Sequence, residues 1–180
     1  MDFAFALLCL PVATVAILLL VIVIRLDSPG AALFRQQRLG KDECEFTLFK
    51  LRTMAIDTVD QPSHEADCAK ITRAGRVLRR LKLDELPQLY NVLTGSMALV
   101  GPRPCLPSQS ELRRARRELG VFKLRPGVTG LAQIEGIDMS TPRELADKDA
   151  EYLAYGSFVG DIGIIARTFL GKGRGDAAIK

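Results

Sequence analysis

Between Phe3 and Ile24 the chain reads FAFALLCLPVATVAILLLVIVI, a run without one charged residue. At about 1.5 Å per helical residue such a run reaches roughly 30 Å, the thickness of a bilayer's hydrocarbon core. Lipid offers the backbone no hydrogen-bond partners, so the run is expected to be helical. A cleaved signal peptide would show a basic start, a shorter apolar stretch and a small-residue cleavage site, whereas this chain opens Met1-Asp2. A retained anchor is therefore expected. Arg25, Arg35, Arg38 and Lys41 follow the run, and such a basic flank holds the following domain on the cytoplasmic side. Pro11 has no amide hydrogen to give, so it can bend the helix into a re-entrant course within one leaflet; a straight span that tolerates the proline is the other arrangement.

The remaining length suffices for one ordinary domain. We expect an anchor over 1–26, a cytoplasmic catalytic domain over 27–172 and a flexible tail over 173–180. The formal net charge of +4 favours anionic partners without choosing among nucleotides, phosphates and acidic lipids. Cys9, Cys44, Cys68 and Cys105 show no C-x-x-C spacing, which excludes a zinc ribbon and fits a reducing compartment. The single histidine, His64, sits in the polar stretch DQPSHEAD. A histidine-rich metal site is excluded, and chemistry must come mainly from carboxylates, arginines, lysines and backbone.

Past the Pro-Gly turn of LDSPG the pattern alternates. LFRQQRLG and EFTLFKLRTM flank the polar turn KDEC and read as a β-hairpin. Ala55 to Lys70 reads as a polar loop. Thr72 can cap a helix over RAGRVLRRLK, and Asp84 can cap the next, ELPQLYNVLT, stopped by Gly95. Ser108 or Ser110 opens ELRRARREL, which Gly120 ends. Thr141, Pro142 and Glu144 spell a capping box opening a helix towards Gly156. FVGDIGIIARTFL is apolar enough to lie along a membrane surface. The fold class expected is α+β: a membrane helix, then a small helix-rich domain with a hairpin and amphipathic interfacial helices.

The adjacent acids Asp84 and Glu85 have a structural reading, a cap and a carboxylate at the positive end of a helix dipole. They also have a chemical one. Neighbouring helical residues point about 100° apart, which suits separate roles rather than a shared proton. An aspartate is ionised at neutral pH and can attack phosphorus without a general base. Such an attack needs relief of charge repulsion, which Mg²⁺ and arginine forks supply. Arg103 in GPRP and Arg125 in RPGVTG lie in turns stiffened by proline. Arg113, Arg114, Arg116 and Arg117 form a dense helical run, expected to face solvent or lipid headgroups.

Taken together, the apolar N-terminus, RLDSPG, LFRQQRLGKDECEFTLFKLRTM, ITRAGRVLRRLKLDELPQLYNVLTGSMALVGPRP and RPGVTGLAQIEG resemble the monotopic phosphoglycosyl transferases, or bacterial sugar transferases, as far as about Leu170. The resemblance implies transfer of a sugar 1-phosphate from a UDP-sugar to undecaprenyl phosphate, releasing UMP, at the cytoplasmic face of the bacterial inner membrane. It implies a ping-pong course through a phosphosugar on Asp84, with Glu85 engaging Mg²⁺. It further implies that Lys50, Arg52, Arg79, Arg103, Arg125 and Asp149 line the substrate site. RPCLPSQ and GIDMSTP resemble a subgroup with N-acetylated 6-deoxyhexosamine donors. Two features depart from the family pattern: Pro11 stands about one turn before the usual Ser-Pro break, and no basic residue precedes the apolar run. A catalytically inactive scaffold of glycan assembly is the alternative of another class. A tethered nucleic-acid binder is disfavoured because tryptophan is absent and aromatics make up only 6% of residues, leaving little to stack on bases.

Overall fold

The structure is a computed structural model in which residues 2–55 and 70–171 are described. His64, Cys68, most of the polar loop and the C-terminal tail lie outside the described residues. The chain divides into two compact units; of the described residues, one takes those up to 36 together with 47–95, the other 37–46 together with 96–171. The apolar helix belongs to the same unit as the acid pair.

In the first unit α1 (Asp2–Asp27) runs uninterrupted through Pro11, with the Thr14 hydroxyl donating to the Leu10 carbonyl at 2.8 Å. It is long and apolar enough to cross a membrane. Ala6, Ala13 and Ile24 form its buried side, while Leu8, Val12, Val15, Leu19 and Leu26 are exposed, an apolar surface suited to lipid. Ile17, Leu20 and Val21 pack with Ile24 onto a core of Ala32, Leu51 and Leu78. The expected hairpin is present as β1 (Leu33–Leu39) and β2 (Glu45–Leu51). Helix α2 (Arg73–Leu81) starts where expected, the Gly75 N–H donating to the Thr72 hydroxyl at 2.9 Å. At Gly75 only hydrogen fits: a Cβ there would collide with the Thr53 carbonyl.

The helix expected to begin at Asp84 begins later. Lys82, with φ of 56°, ends α2 in a left-handed conformation, and Leu83–Glu85 form a 3₁₀ turn. Helix α3 is Gln88–Leu93, closed by Gly95 at φ +77°. Pro87 explains the delay. It has no N–H for the Leu83 carbonyl, so the Leu86 N–H takes that acceptor at 3.3 Å and the i to i−4 ladder starts beyond the proline. Asp84 therefore sits inside a tight turn and is not a helix cap.

The second unit holds a parallel pair that the sequence pattern did not reveal: β3 (Ala98–Val100) and β4 (Gly127–Thr129), with Ala98 opposite Gly127 and Val100 opposite Thr129. Around it lie α4 (Ser110–Glu118), α5 (Leu131–Glu135), α6 (Pro142–Tyr155) and α7 (Phe158–Phe169). Leu39, Cys105, Leu112, Ala132, Leu145 and Ala146 form its core. Helix α6 begins with Pro142 as expected, but the capping box is not closed. The Thr141 hydroxyl instead meets the carbonyl of Asp138 at 3.5 Å, drawn there by a turn in which Ser140 donates to the Asp138 carboxylate. Phe158, Val159, Ile162 and Phe169 of α7 are exposed. Cys9, Cys44 and Cys105 are free thiols.

The hairpin loop is a two-residue turn of the mirror-image kind, with Asp42 at φ 55° and Glu43 at φ 58°, and the Cys44 N–H donating to the Lys41 carbonyl at 3.1 Å. Asp42 is of a type that tolerates this conformation, whereas Glu43 is not. Glu43 is held by α4: Arg117 donates to both carboxylate oxygens at 2.7 Å, and Arg113 adds a bond at 3.2 Å.

Candidate active site

In the first unit, the 3₁₀ turn after the left-handed Lys82 buries Asp84, which is 6% exposed, and leaves Glu85 half-buried. On such a turn successive side chains point about 120° apart, so the two carboxylates face different surroundings. Glu85 faces Lys50 of β2, with Nζ 3.7 Å from Oε1. Lys50 lies on the buried side of β2, in phase with Leu48, so the strand's period-2 alternation carries the ammonium inward.

Two of the arginines expected at the site, Arg52 and Arg79, belong to this unit. Arg79 of α2 donates through Nε to the Thr53 hydroxyl at 2.9 Å, and Arg52 donates through Nη2 to the Ser28 carbonyl at 2.8 Å. The close approach of Gly75 to Thr53 sets the first contact, and the Thr72 N–H donating to the Thr53 carbonyl at 3.0 Å reinforces it. These bonds use only part of each guanidinium. Arg52 Nε and Nη1 and Arg79 Nη1 are buried without a partner among the described residues. Buried charged donors left unmet cost more than neutral ones, and their natural complement is an anionic acceptor.

An apolar groove of about 320 Å³ also belongs to this unit. Its walls include Leu10, Ala13 and Ile17 of α1, Phe49 of β2, and Leu86 and Tyr90 beyond the acid pair. Phe49 and Tyr90 meet edge to face, centroids 5.5 Å apart. Asn91 fixes α3 to β2, donating to the Thr47 carbonyl at 2.8 Å and accepting from the Phe49 N–H at 3.2 Å.

The second unit holds Arg103, Arg125 and Asp149. The parallel pair sets the first two on adjoining loops: the Ala98 N–H donates to the Pro126 carbonyl at 2.8 Å and the Gly127 N–H to the Pro102 carbonyl at 2.9 Å. Gly101 permits this, because a Cβ there would stand 2.5 Å from the Arg125 carbonyl. Arg103 is half-buried and Arg125 exposed. Asp149 is only 3% exposed, and its Oδ2 accepts from Arg116 Nη2 at 2.7 Å and Nε at 3.0 Å. Burial pushes the Asp149 carboxyl up from its ordinary value, against the opposing pull of the Arg116 charge and its hydrogen bonds.

Arg116 corrects the expectation that all four α4 arginines face outward. It is 2% exposed, whereas Arg114 is exposed and Arg113 and Arg117 hold Glu43. The signal was present: Leu112, Ala115 and Leu119 mark the inward stripe of α4, and Arg116 stands one turn beyond Leu112 on that stripe.

A family model described as "Bacterial sugar transferase" matches residues 1–173. Among curated proteins, a Caulobacter vibrioides UDP-glucose:undecaprenyl-phosphate glucose-1-phosphate transferase is 40% identical over 84% of this chain and 60% of its own length. An uncharacterised sugar transferase of Bacillus subtilis is 36% identical over 93% of this chain and 82% of its own length. A UDP-N-acetylgalactosamine-undecaprenyl-phosphate N-acetylgalactosaminephosphotransferase of Aeromonas hydrophila is 32% identical over 93% of this chain and 41% of its own length. The chain thus spans three fifths or less of the two relatives named for a reaction.

Proposed function

Because the chain belongs to the bacterial sugar transferase family, we propose that it transfers a sugar 1-phosphate from a UDP-sugar to undecaprenyl phosphate. The observation that carries this reading is the set of buried guanidinium donors of Arg52 and Arg79 without partners, in the unit that buries Asp84. Diphosphate oxygens are the acceptors such donors lack.

In the proposed reaction an Asp84 oxygen attacks the phosphorus bearing the sugar, and the bond from that phosphorus to the bridging oxygen of the diphosphate breaks. UMP leaves with the electron pair as an anion that needs little protonation. A phosphate oxygen of undecaprenyl phosphate then attacks the same phosphorus, the aspartyl oxygen leaves, and the carboxylate is restored. Arg52, Arg79 and Lys50 offset charge on the phosphoryl oxygens. Arg103 and Arg125 offer two guanidiniums on stiff, adjoining loops for the same class of group.

Magnesium fits this donor set. Such an ion commonly takes one or two carboxylates with substrate phosphates and water, and among the described residues no group of three or more His, Cys, Asp or Glu builds a full protein cage. Glu85 is the residue that would hold it, and the bound ion would neutralise phosphate charge. The apolar groove suits the hydrocarbon chain of the lipid acceptor. The basic residues after α1 favour the bacterial inner membrane with the catalytic machinery on its cytoplasmic face. The relatives' donors differ, UDP-glucose in one and UDP-N-acetylgalactosamine in another; a UDP-N-acetyl-6-deoxyhexosamine is the donor proposed here.

The test is UMP release from a panel of UDP-sugars with detergent-purified protein, undecaprenyl phosphate and Mg²⁺. Release that needs both lipid phosphate and metal is expected, and Asp84→Asn is expected to abolish it while the protein stays folded. Near-normal turnover by Asp84→Asn overturns the nucleophile. No release from any donor favours the scaffold reading.

A further inference from the structure

The Gly-Pro-Arg-Pro loop is held at four consecutive carbonyls. The Pro102 carbonyl accepts from the Gly127 N–H at 2.9 Å and the Cys105 carbonyl from the Leu39 N–H at 2.9 Å. Between them, the Arg103 carbonyl accepts from Arg116 Nη1 at 2.8 Å and the Pro104 carbonyl from Arg38 Nη1 at 3.0 Å. The two central donors are side chains, both buried. Pro102 and Pro104 explain why: prolines flanking Arg103 remove the N–H groups through which this stretch could continue the β3 ladder.

A buried guanidinium is costly unless its charge is met, and Asp149 meets that of Arg116. With Nε and Nη2 spent on Asp149, Nη1 is left for the Arg103 carbonyl. One planar group thus joins α6, α4 and the loop. Simple stabilisation of α4 against α6 does not call for it, since an apolar pair of similar volume is often as stable. What a fork adds is a fixed direction for the backbone it holds.

We propose that the buried Arg116–Asp149 pair is a positioning device for Arg103, fixing its backbone so that its guanidinium is presented to a phosphoryl group in one orientation. Asp149, which the sequence resemblance put among substrate-contacting residues, then acts through Arg116 rather than on the substrate. This inference rests on the proposed role of Arg103 in phosphate binding. Arg116 and Asp149 are positioning residues, and their loss acts on turnover only through Arg103.

The test combines hydrogen exchange with a double-mutant cycle on the detergent-purified chain. Arg116→Lys keeps the charge and removes the fork. Exchange in the segment 101–106 is expected to rise at least tenfold while α7 keeps its protection. UMP release at saturating UDP-sugar is expected to fall roughly 10- to 100-fold, the scale of a misplacement of about 1 Å, and Arg103→Gln with Arg116→Lys is expected to be no worse than Arg103→Gln alone. Additive losses in the cycle, or unchanged exchange in 101–106, overturn the proposal. If Arg116→Lys does not fold, Asp149→Asn takes its place in both measurements, with smaller shifts in the same directions, and additivity there is equally decisive. Wild-type protein that releases no UMP, but whose Arg116→Lys variant shows the local rise in exchange, sinks the reading of Arg103 and leaves the clamp standing.

Discussion

Arg52 and Arg79 in the first unit and Arg116 in the second use their guanidinium groups in opposite ways. In the first, Arg52 and Arg79 each spend one nitrogen on the protein and keep buried donors unmet. In the second, Arg116 gives Nε and Nη2 to a carboxylate and Nη1 to a carbonyl. In the reading proposed above, the unmet donors of Arg52 and Arg79 await an anionic ligand, whereas the fork of Arg116 is spent within the protein. The same residue type thus keeps open donors in one place and spends its whole fork in another, and only its partners tell the two apart.

Replacing each kind by an apolar side chain of similar length breaks the comparison most directly. Arg116→Met leaves Asp149 buried without its counter-charge and is expected to cost about 3–5 kcal/mol of stability, read as a large fall in the unfolding midpoint. Arg79→Met removes the unmet Nη1 donor together with the single bond to Thr53, so the midpoint is expected to change little while UMP release falls. Equal destabilisation by both would erase the distinction. A middling effect is expected from Gly75→Ala, whose added carbon meets the Thr53 carbonyl; overpacking of this kind costs about 1–3 kcal/mol. Since Thr53 also holds Arg79, this variant is expected to lose turnover as well as stability.

The smallest effect concerns acid. The bonds from Arg117, aided by those from Arg113, draw the Glu43 carboxyl below its ordinary value against a lesser opposing effect of burial. The ionised form is therefore favoured on folding. That contribution is complete above the unfolded value near 4.5 and is lost as pH falls through the folded value. Glu43→Gln is expected to lower stability slightly at neutral pH, where the contribution is complete, by a difference that shrinks as pH falls and so flattens the acid limb; it is small because Arg117 is exposed.

Much of this was legible in the chain itself. The apolar run, the hairpin, Thr72 as a cap and the span of α6 follow from local pattern, and the structure has all four. The β3–β4 pair was not legible, since three-residue strands are too short to show alternation and their pairing is made by close glycine contacts between distant segments. Asp84 was misread as a cap because a proline three residues on displaces the helix start. Arg116 could have been found from the stripe of α4, but its arginine neighbours made the run look uniformly exposed. The unmet donors of Arg52 and Arg79 leave no trace in sequence, because a missing partner is a property of tertiary placement alone.

The apolar helix has a further consequence. Ala13 and Ile17 form part of a wall whose other side is built from the residues just after the acid pair, and Ile24 is among the most completely buried large side chains of the described residues. Trimming residues 1–26 to obtain a water-soluble enzyme would therefore strip a face from the unit that carries Asp84 and expose Leu51 and Leu78. The helix is thus part of the packing of the unit that holds Asp84, and solubility has to be engineered around it rather than by deleting it.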